Sequence, residues 1–213
     1  MSSAREEVLA CARRGLADVP ANERPEDVRV RRGYLLQEPE GTLERFVERV
    51  TDYGSVVELV QERGVAAAVE AMCRTFAVSS VVVPADLPSA WVPSGVEAIA
   101  DDGLDMYALD RIGAALTGCA LAIAETGTVV FDAGARQGRR ALTLVPDVHV
   151  CVIEEEQVVD GVPAAVRRLS DELRRLRRPL TFVSGPSATS DIELARVEGV
   201  HGPRRFGLIL VQA

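Results

Sequence analysis

Residues 148–184 read VHVCVIEEEQVVDGVPAAVRRLSDELRRLRRPLTFVS, and this stretch decides the fold class. It opens with an apolar run over residues 148–153, which contains His149 and predicts a buried strand. Residues 180–184 predict a second strand. Between them, apolar residues recur at spacings of four and three, which predicts a helix with an arginine-rich outer face. The apolar residues are Val162, Val166, Leu169, Leu173 and Leu176. Strands that alternate with helices are typical of an α/β domain with a largely parallel sheet.

The segments on both sides of this stretch fit the same class. Helices are predicted over residues 3–16, 42–54, 65–76 and 109–116. Strands are predicted over residues 80–83, 119–124, 128–131 and 206–211, while residues 55–60 are either a strand or the start of a helix. Residues 125–127 separate two of these strands and predict a tight antiparallel hairpin within the sheet. We therefore expect one α/β domain over residues 41–213.

Residues 1–40 are expected to form an appendage to this domain. Ser3 and Glu6 match a capping box at the start of the first predicted helix. The polar stretch that follows, over residues 18–37, contains Arg29, Arg31 and Arg32 and is interpreted as an extended arm or a solvated linker.

Composition limits the classes of function. The chain has 213 residues, of which 47% are hydrophobic, and a net charge of −8. An acidic chain repels phosphate backbones, so we expect no nucleic-acid partner. No apolar run approaches the roughly 20 residues of a membrane-spanning helix, and the charged N-terminus is unlike a signal peptide. These features together indicate a cytoplasmic protein.

The four cysteines lie far apart in the sequence, at Cys11, Cys73, Cys119 and Cys151. Because there is no C-x-x-C pair, the chain is not expected to hold a zinc ion or an iron–sulfur cluster alone. Each cysteine lies among apolar residues, which predicts buried, reduced thiols. The glycine motifs of P-loop enzymes, dinucleotide-binding domains and α/β-hydrolases do not occur.

Three polar, glycine-rich clusters follow predicted strands, at residues 125–140, 184–193 and 199–204. Open α/β sheets bind ligands at the carboxyl ends of their strands, where small residues let backbone N–H groups approach an anion closely. We therefore expect the clusters to share one anion-binding site. Its candidate ligand-binding residues are Thr126, Gly127, Thr128, Asp132, Arg139, Arg140, Ser184, Gly185, Ser187, Thr189, Asp191 and Gly202.

Two of these groups have alternative interpretations. Hydroxyl and amide groups over residues 184–190 suit a carboxylate or phosphate, but a turn rich in Ser and Thr also caps helices. The forked guanidinium groups of Arg139 and Arg140 suit carboxylates, but either could instead pair with Asp132 in a surface loop.

Glu125 and His201 are the candidates for catalysis. Glu125 directly follows an apolar run, where a carboxylate could act as a base or nucleophile, or could simply accept hydrogen bonds from loop amides. His201 lies in a glycine-flanked loop, which makes it the better functional candidate of the two histidines. His149 lies within a predicted strand and is interpreted as a packed sheet residue. No spacing of ligands predicts a metal site.

Four motifs in order carry a resemblance to a known family: AETGT at 124–128, GRRALTLVPDVH at 138–149, SGPS at 184–187 with DIE at 191–193, and GVHGP at 199–203. Over roughly residues 105–213, these motifs resemble the lactate-utilization members of the LUD-domain family. The resemblance implies a Rossmann-like α/β sandwich of the kind found in sugar isomerases, CoA-transferases and formyltetrahydrofolate cyclo-ligases.

The resemblance also implies a role in bacterial growth on L-lactate. Members of this kind act in a multi-protein system with two partner proteins, one carrying iron–sulfur motifs, to oxidise lactate to pyruvate. This chain would be the member without a cluster, binding a small carboxylate or an anionic cofactor of unknown identity. Proposed roles are an anion cradle at Ser184, Gly185, Ser187 and Thr189, charge neutralisation by Arg139 or Arg140, and proton handling by Glu125 and His201.

Two alternatives stay open. The first is an independent CoA-transferase-like or cyclo-ligase-like enzyme, because residues 124–127 are similar to the Ser-Glu-Asn-Gly turn that presents the nucleophile in CoA-transferases, although Ser and Asn are missing. The second is a non-catalytic assembly or regulatory module, in which the arginine-rich helix face and the arm around Arg29 dock an acidic partner.

Overall fold

A computed structural model of the chain describes residues 3–20, 22–27, 29, 42–176, 178–189, 197–199 and 201–212. The chain divides into two compact units, Met1–Leu36 and Gln37–Ala213. None of the helices in the described ranges combines the length and the apolar composition needed to cross a membrane.

The first unit contains helix α1 (Ala4–Gly15), and the predicted capping box at its start is confirmed. The backbone N–H of Glu6 donates to Ser3 Oγ at 3.3 Å, and the Ser3 N–H donates to the Glu6 carboxylate at 2.7 Å. Cys11 is exposed on α1, so the prediction that every cysteine is buried is wrong at this position. Arg31 and Arg32 of the expected arm lie outside the described residues.

The second unit is built on a six-stranded sheet, and the predicted α/β class is confirmed. Every neighbouring pair in this sheet is parallel, with the spatial order β1-β12-β7-β4-β2-β3. Its strands are β1 (Val56–Gln61), β2 (Ser80–Val83), β3 (Glu97–Ala100), β4 (Ala114–Thr117), β7 (Val148–Glu154) and β12 (Arg205–Gln212).

A second, four-stranded sheet contains the predicted hairpin, which therefore does not lie within the main sheet as expected. Its spatial order is β8-β5-β6-β9, and β5 and β6 pair antiparallel. The strands are β5 (Leu121–Ile123), β6 (Thr128–Phe131), β8 (Val158–Val159) and β9 (Thr181–Val183), while β10 (Ala188–Thr189) and β11 (Val197–Glu198) form a separate antiparallel pair. The hairpin is buried on both faces, which is why its apolar pattern resembles that of a strand in the main sheet.

Alternation along β7 shows how the layers pack. Val150 and Val152 belong to the core formed with helix α3 (Val65–Thr75), whereas Cys151 and Ile153 belong to the core shared with the small sheet and helix α2 (Leu43–Asp52). On the outer face of the small sheet, Leu121, Ile123 and Val130 pack against Ala165 and Leu169 of helix α5 (Val162–Leu176). The unit therefore has four layers: α3, the large sheet, the small sheet and α5.

Two sequence predictions need correction. Residues 109–116 do not form one helix, because helix α4 (Met106–Asp110) ends before the strand β4 begins. A strand buried on both faces has a continuous apolar sequence, which periodicity cannot distinguish from a buried helix. In α5, Val162 and Val166 are exposed rather than packed, and Ala165 and Leu169 are buried among the positions whose burial the structure describes.

Candidate functional site

A cleft of about 230 Å³ opens where the starts of β7 and β12 meet the end of β9. Its walls come from the loop before β7, from β9 with the turn that follows it, and from the loop that leads into β12. The lining residues are Arg140, Thr143, His149, Thr181, Phe182, Val183, Ser184, Gly185, Pro186, Ser187, His201, Gly202, Pro203 and Phe206.

The position of this cleft differs from the expected one. The sequence predicts a site at the carboxyl ends of the parallel strands, but the cleft lies at the amino ends of β7 and β12. The reason is topological, because β9 runs antiparallel in the small sheet and delivers its following turn to this side of the molecule.

Two hydrogen bonds join the loops that form the mouth of the cleft. Ser187 N–H donates to Pro203 O at 2.8 Å, and His201 N–H donates to Ser187 Oγ at 2.9 Å. Gly185 has a φ of +86°, and a Cβ there would lie 2.5 Å from the Cβ of Tyr53. Only glycine therefore fits at this turn. Close packing against Tyr53 explains why the sequence has glycine at position 185.

Arg140 supplies positive charge to the cleft. Its guanidinium donates to Thr143 Oγ1 at 2.7 Å, and no carboxylate among the described residues lies within ion-pair distance of it. Partial burial without a counter-charge lowers the pKa of Arg140. An anion bound in the cleft would supply that counter-charge.

Arg139, the neighbouring candidate, points elsewhere. Its guanidinium forms a two-pronged pair with Asp101, with both N···O distances at 2.7 Å. Hydrogen bonds from Arg139 lower the pKa of the Asp101 carboxyl, so this pair is formed under ordinary conditions. Arg139 does not line the cleft, and it provides a matched control for Arg140.

His149, which the sequence predicts to be a packed sheet residue, also lines the cleft. It is 2% exposed, and its ring lies between Phe131 and Phe206, with centroid separations of 5.3 and 5.2 Å. Its Nε2 lies 2.7 Å from the hydroxyl of Thr117. Burial, with a smaller contribution from the charge of Arg140, lowers the pKa of His149 to about 3, so the ring is neutral at physiological pH.

Glu125 and the hairpin turn stand apart from the cleft. The Glu125 side chain is exposed and does not line it, and the Glu125 N–H donates to Asp160 O at 3.0 Å. Thr126 and Thr128 share a hydrogen bond of 2.7 Å, and Thr128 Oγ1 lies 2.8 Å from Ser184 Oγ. The hairpin thus braces Ser184 at the edge of the cleft without contributing Glu125 to it.

Asp132 lies in a different cleft, of about 320 Å³, together with Arg136 and Arg178. Its carboxylate accepts hydrogen bonds from Gly134 N–H at 2.9 Å and from Gln137 Nε2 at 2.7 Å. Within the described ranges, its ion-pair contact is with Arg178, at 4.0 Å, and not with Arg139 or Arg140 as the alternative interpretation held.

Of the remaining candidates, His201, Ser184, Gly185, Ser187 and Gly202 all line the cleft with Arg140. Thr189 lies in β10, and its side chain is outside the described part of the chain, as is the whole of Asp191. The described residues contain no group of three or more His, Cys, Asp or Glu side chains placed to hold a metal ion.

Comparison with known proteins matches this geometry to a family. The LUD domain model matches residues 43–211. Lactate utilization protein C of Deinococcus radiodurans is 46% identical over 170 residues, which cover 79% of each chain. Lactate utilization protein C of Bacillus pumilus is 39% identical over 92 residues, which cover 42% of this chain and 38% of that protein. A crystal structure of a DUF162 family protein from Deinococcus radiodurans superposes with a TM-score of 0.69 at 38% identity, covering 79% of this chain and 95% of that one.

Proposed function

Because the chain belongs to the LUD-domain family, we propose that it acts in lactate utilization by binding a small carboxylate in the cleft around Arg140. The relatives named lactate utilization protein C support the role in lactate utilization. The observation that carries the ligand class is the guanidinium of Arg140, which lines the cleft without a carboxylate partner among the described residues.

The size of the cleft favours a small ligand. Its volume of about 230 Å³ is below the range of roughly 300–1,000 Å³ that is usual for larger organic ligands. A three-carbon acid such as lactate or pyruvate fits this space better than a dinucleotide or a CoA ester. The hydroxyls of Ser184 and Ser187 supply additional polar groups at the mouth of the cleft.

The proposal includes iron–sulfur partner proteins, as the family resemblance implies. Oxidation of lactate to pyruvate releases two electrons, which must be passed to an acceptor. Iron–sulfur clusters are held by several cysteine thiolates, and the four cysteines of this chain lie far apart in its sequence, without a C-x-x-C pair. The cluster that accepts these electrons would therefore belong to a partner, and this chain would contribute the carboxylate site.

Titration calorimetry with L-lactate and pyruvate tests the proposal. We expect Arg140→Gln to weaken binding of both acids at least tenfold, since a charge-assisted hydrogen bond contributes roughly 1.5–3 kcal/mol. Arg139→Gln removes the same charge from the adjacent residue, whose guanidinium is bonded to Asp101, and should leave both affinities within about twofold of the parent. If neither acid binds the parent chain, or if both variants weaken binding equally, the assignment of Arg140 is wrong.

A further inference from the structure

The contacts of the Thr117 hydroxyl favour the tautomer of His149 that is protonated at Nε2. Thr117 Oγ1 lies 2.9 Å from Gly118 O, and a carbonyl oxygen can only accept a hydrogen bond. Since the hydroxyl has a single proton, donation to Gly118 O leaves Thr117 Oγ1 as an acceptor toward His149 Nε2, 2.7 Å away. Both contacts are satisfied when the neutral ring of His149 is protonated at Nε2, which leaves a lone pair on Nδ1.

Nδ1 of His149 is not fully enclosed by protein atoms. Nδ1 of His149 has no hydrogen-bond partner among the described residues. Since Ser55 Oγ is the only fully enclosed side-chain polar atom there that lacks a partner, Nδ1 is open to a ligand. Because His149 lines the cleft, Nδ1 is the polar atom that the ring presents to a ligand. The flanking rings of Phe131 and Phe206 hold its orientation.

A hydrogen-bond acceptor beside a guanidinium matches one class of small acid. We infer that His149 is the residue by which the cleft distinguishes a 2-hydroxycarboxylate from other small acids, with the ligand's hydroxyl donating to His149 Nδ1 while its carboxylate pairs with Arg140. The inference rests on the proposed function, since it names the ligand class of the same site. It assigns His149 as a residue that determines specificity, and Thr117 as the residue that positions it.

His149 acts here as a fixed acceptor and does not take up the proton. The groups that face its ring are two phenyl rings, the Thr117 hydroxyl and the positive charge of Arg140. Burial and the charge of Arg140 both disfavour a protonated imidazole. The lowered pKa of His149 agrees with this arrangement. His201, which also lines the cleft, is exposed and is the other titratable side chain at its mouth within the described ranges.

The affinities of three acids of similar size distinguish this inference from the proposed function. L-lactate has a hydroxyl at the second carbon, pyruvate has a carbonyl, and propionate has neither. One neutral hydrogen bond corresponds to a factor of roughly five to ten in affinity, so lactate should bind about five- to tenfold more tightly than propionate. Pyruvate, whose carbonyl oxygen would face the lone pair of Nδ1, should bind no better than propionate.

The outcomes are distinguishable by calorimetry on the unmodified chain. If none of the three acids binds, the proposed function fails and this inference fails with it. If all three bind with similar affinity and Arg140→Gln weakens all of them, the carboxylate site stands and the role of His149 is overturned. A preference for lactate over both other acids supports the inference.

The protonation state of His149 can also be read while His149 itself is left unchanged. The chain has two histidines, so long-range ¹H–¹⁵N spectra contain two imidazole patterns, and His201→Gln identifies which pattern belongs to His149. We expect protonation at Nε2 and a shift of the Nδ1 resonance on addition of lactate but not of propionate. Protonation at Nδ1 would overturn the inference.

Thr117→Val tests the positioning role. Valine matches the shape of threonine but cannot accept from Nε2, so either ring nitrogen can then carry the proton. We expect the affinity ratio of lactate to propionate to fall toward one, while the affinity for propionate, which depends on Arg140, stays within about twofold of the parent. An unchanged ratio would contradict the role given to Thr117.

Discussion

Lowering the pH from 7.5 to 5 should reduce the free energy of unfolding by about 2 kcal/mol through His149 alone. In the folded chain the pKa of His149 is lowered to about 3, whereas an unfolded histidine has a pKa of roughly 6.5. Between these values the unfolded chain binds a proton that the folded chain does not, so stability is fully present above the unfolded pKa and declines as the pH falls. The slope is about 1.4 kcal/mol per pH unit below pH 6.

Denaturant unfolding at pH 7.5, 6 and 5 measures this effect by comparing pH slopes rather than absolute stabilities. His149→Gln should remove most of the slope over this range, whatever the substitution does to stability at pH 7.5. His201→Gln, which replaces the exposed histidine of the same cleft, should keep the parent slope. A parent slope retained in His149→Gln would show that His149 binds its proton equally well in the folded and the unfolded chain, and the lowered pKa assigned to it would be wrong.

The role of His149 illustrates what the sequence alone could not provide. Its position within an apolar run correctly predicts a buried strand residue, which is confirmed by β7. The strand's period of two places the ring on the face toward the small sheet, but the sequence gives no sign that Thr117 lies beside it or that a cleft opens above it. Those contacts depend on the pairing of β4 with β7, which joins distant parts of the chain.

Local patterns predicted the elements better than their assembly. The helix over Val162–Leu176 and the strands Ser80–Val83 and Thr128–Phe131 have the predicted bounds, because apolar spacing and β-branched composition act locally. The division into two sheets was missed, since a strand buried on both faces gives the same apolar run in either sheet. The short strands β3 and β8 were missed because few residues carry their pattern.

The candidate site was predicted in part for a similar reason. Glycine-rich and hydroxyl-rich turns were expected to converge, and those around Gly185 and Gly202 do line one cleft with Arg140. Glu125 was grouped with them by its place in the chain, yet the hairpin directs its turn toward Asp160. The binding and catalytic roles of all these residues stay predictions that the titrations above address.

Gly127→Ala should destabilise the chain by about 2–4 kcal/mol, because strain and overpacking act together at this position. Gly127 has a φ of +59°, which is unfavourable for any residue with a side chain. A Cβ there would also lie 2.6 Å from the Cβ of Arg49 and 2.9 Å from the backbone N of Val50, both in α2. Backbone atoms in the last turn of a packed helix cannot move away cheaply, so the hairpin and α2 would be forced apart.

Gly103→Ala separates the two contributions to this loss. Gly103 has a similar φ of +72°, but a Cβ there would meet no atom within 4 Å. This substitution introduces backbone strain without a steric clash, and we expect it to lower the free energy of unfolding by roughly 1 kcal/mol. Denaturant unfolding of both variants at pH 7.5 gives the comparison. Equal losses would mean that the contact between the hairpin turn and α2 adds nothing, and Gly127 would then be required only for its backbone conformation.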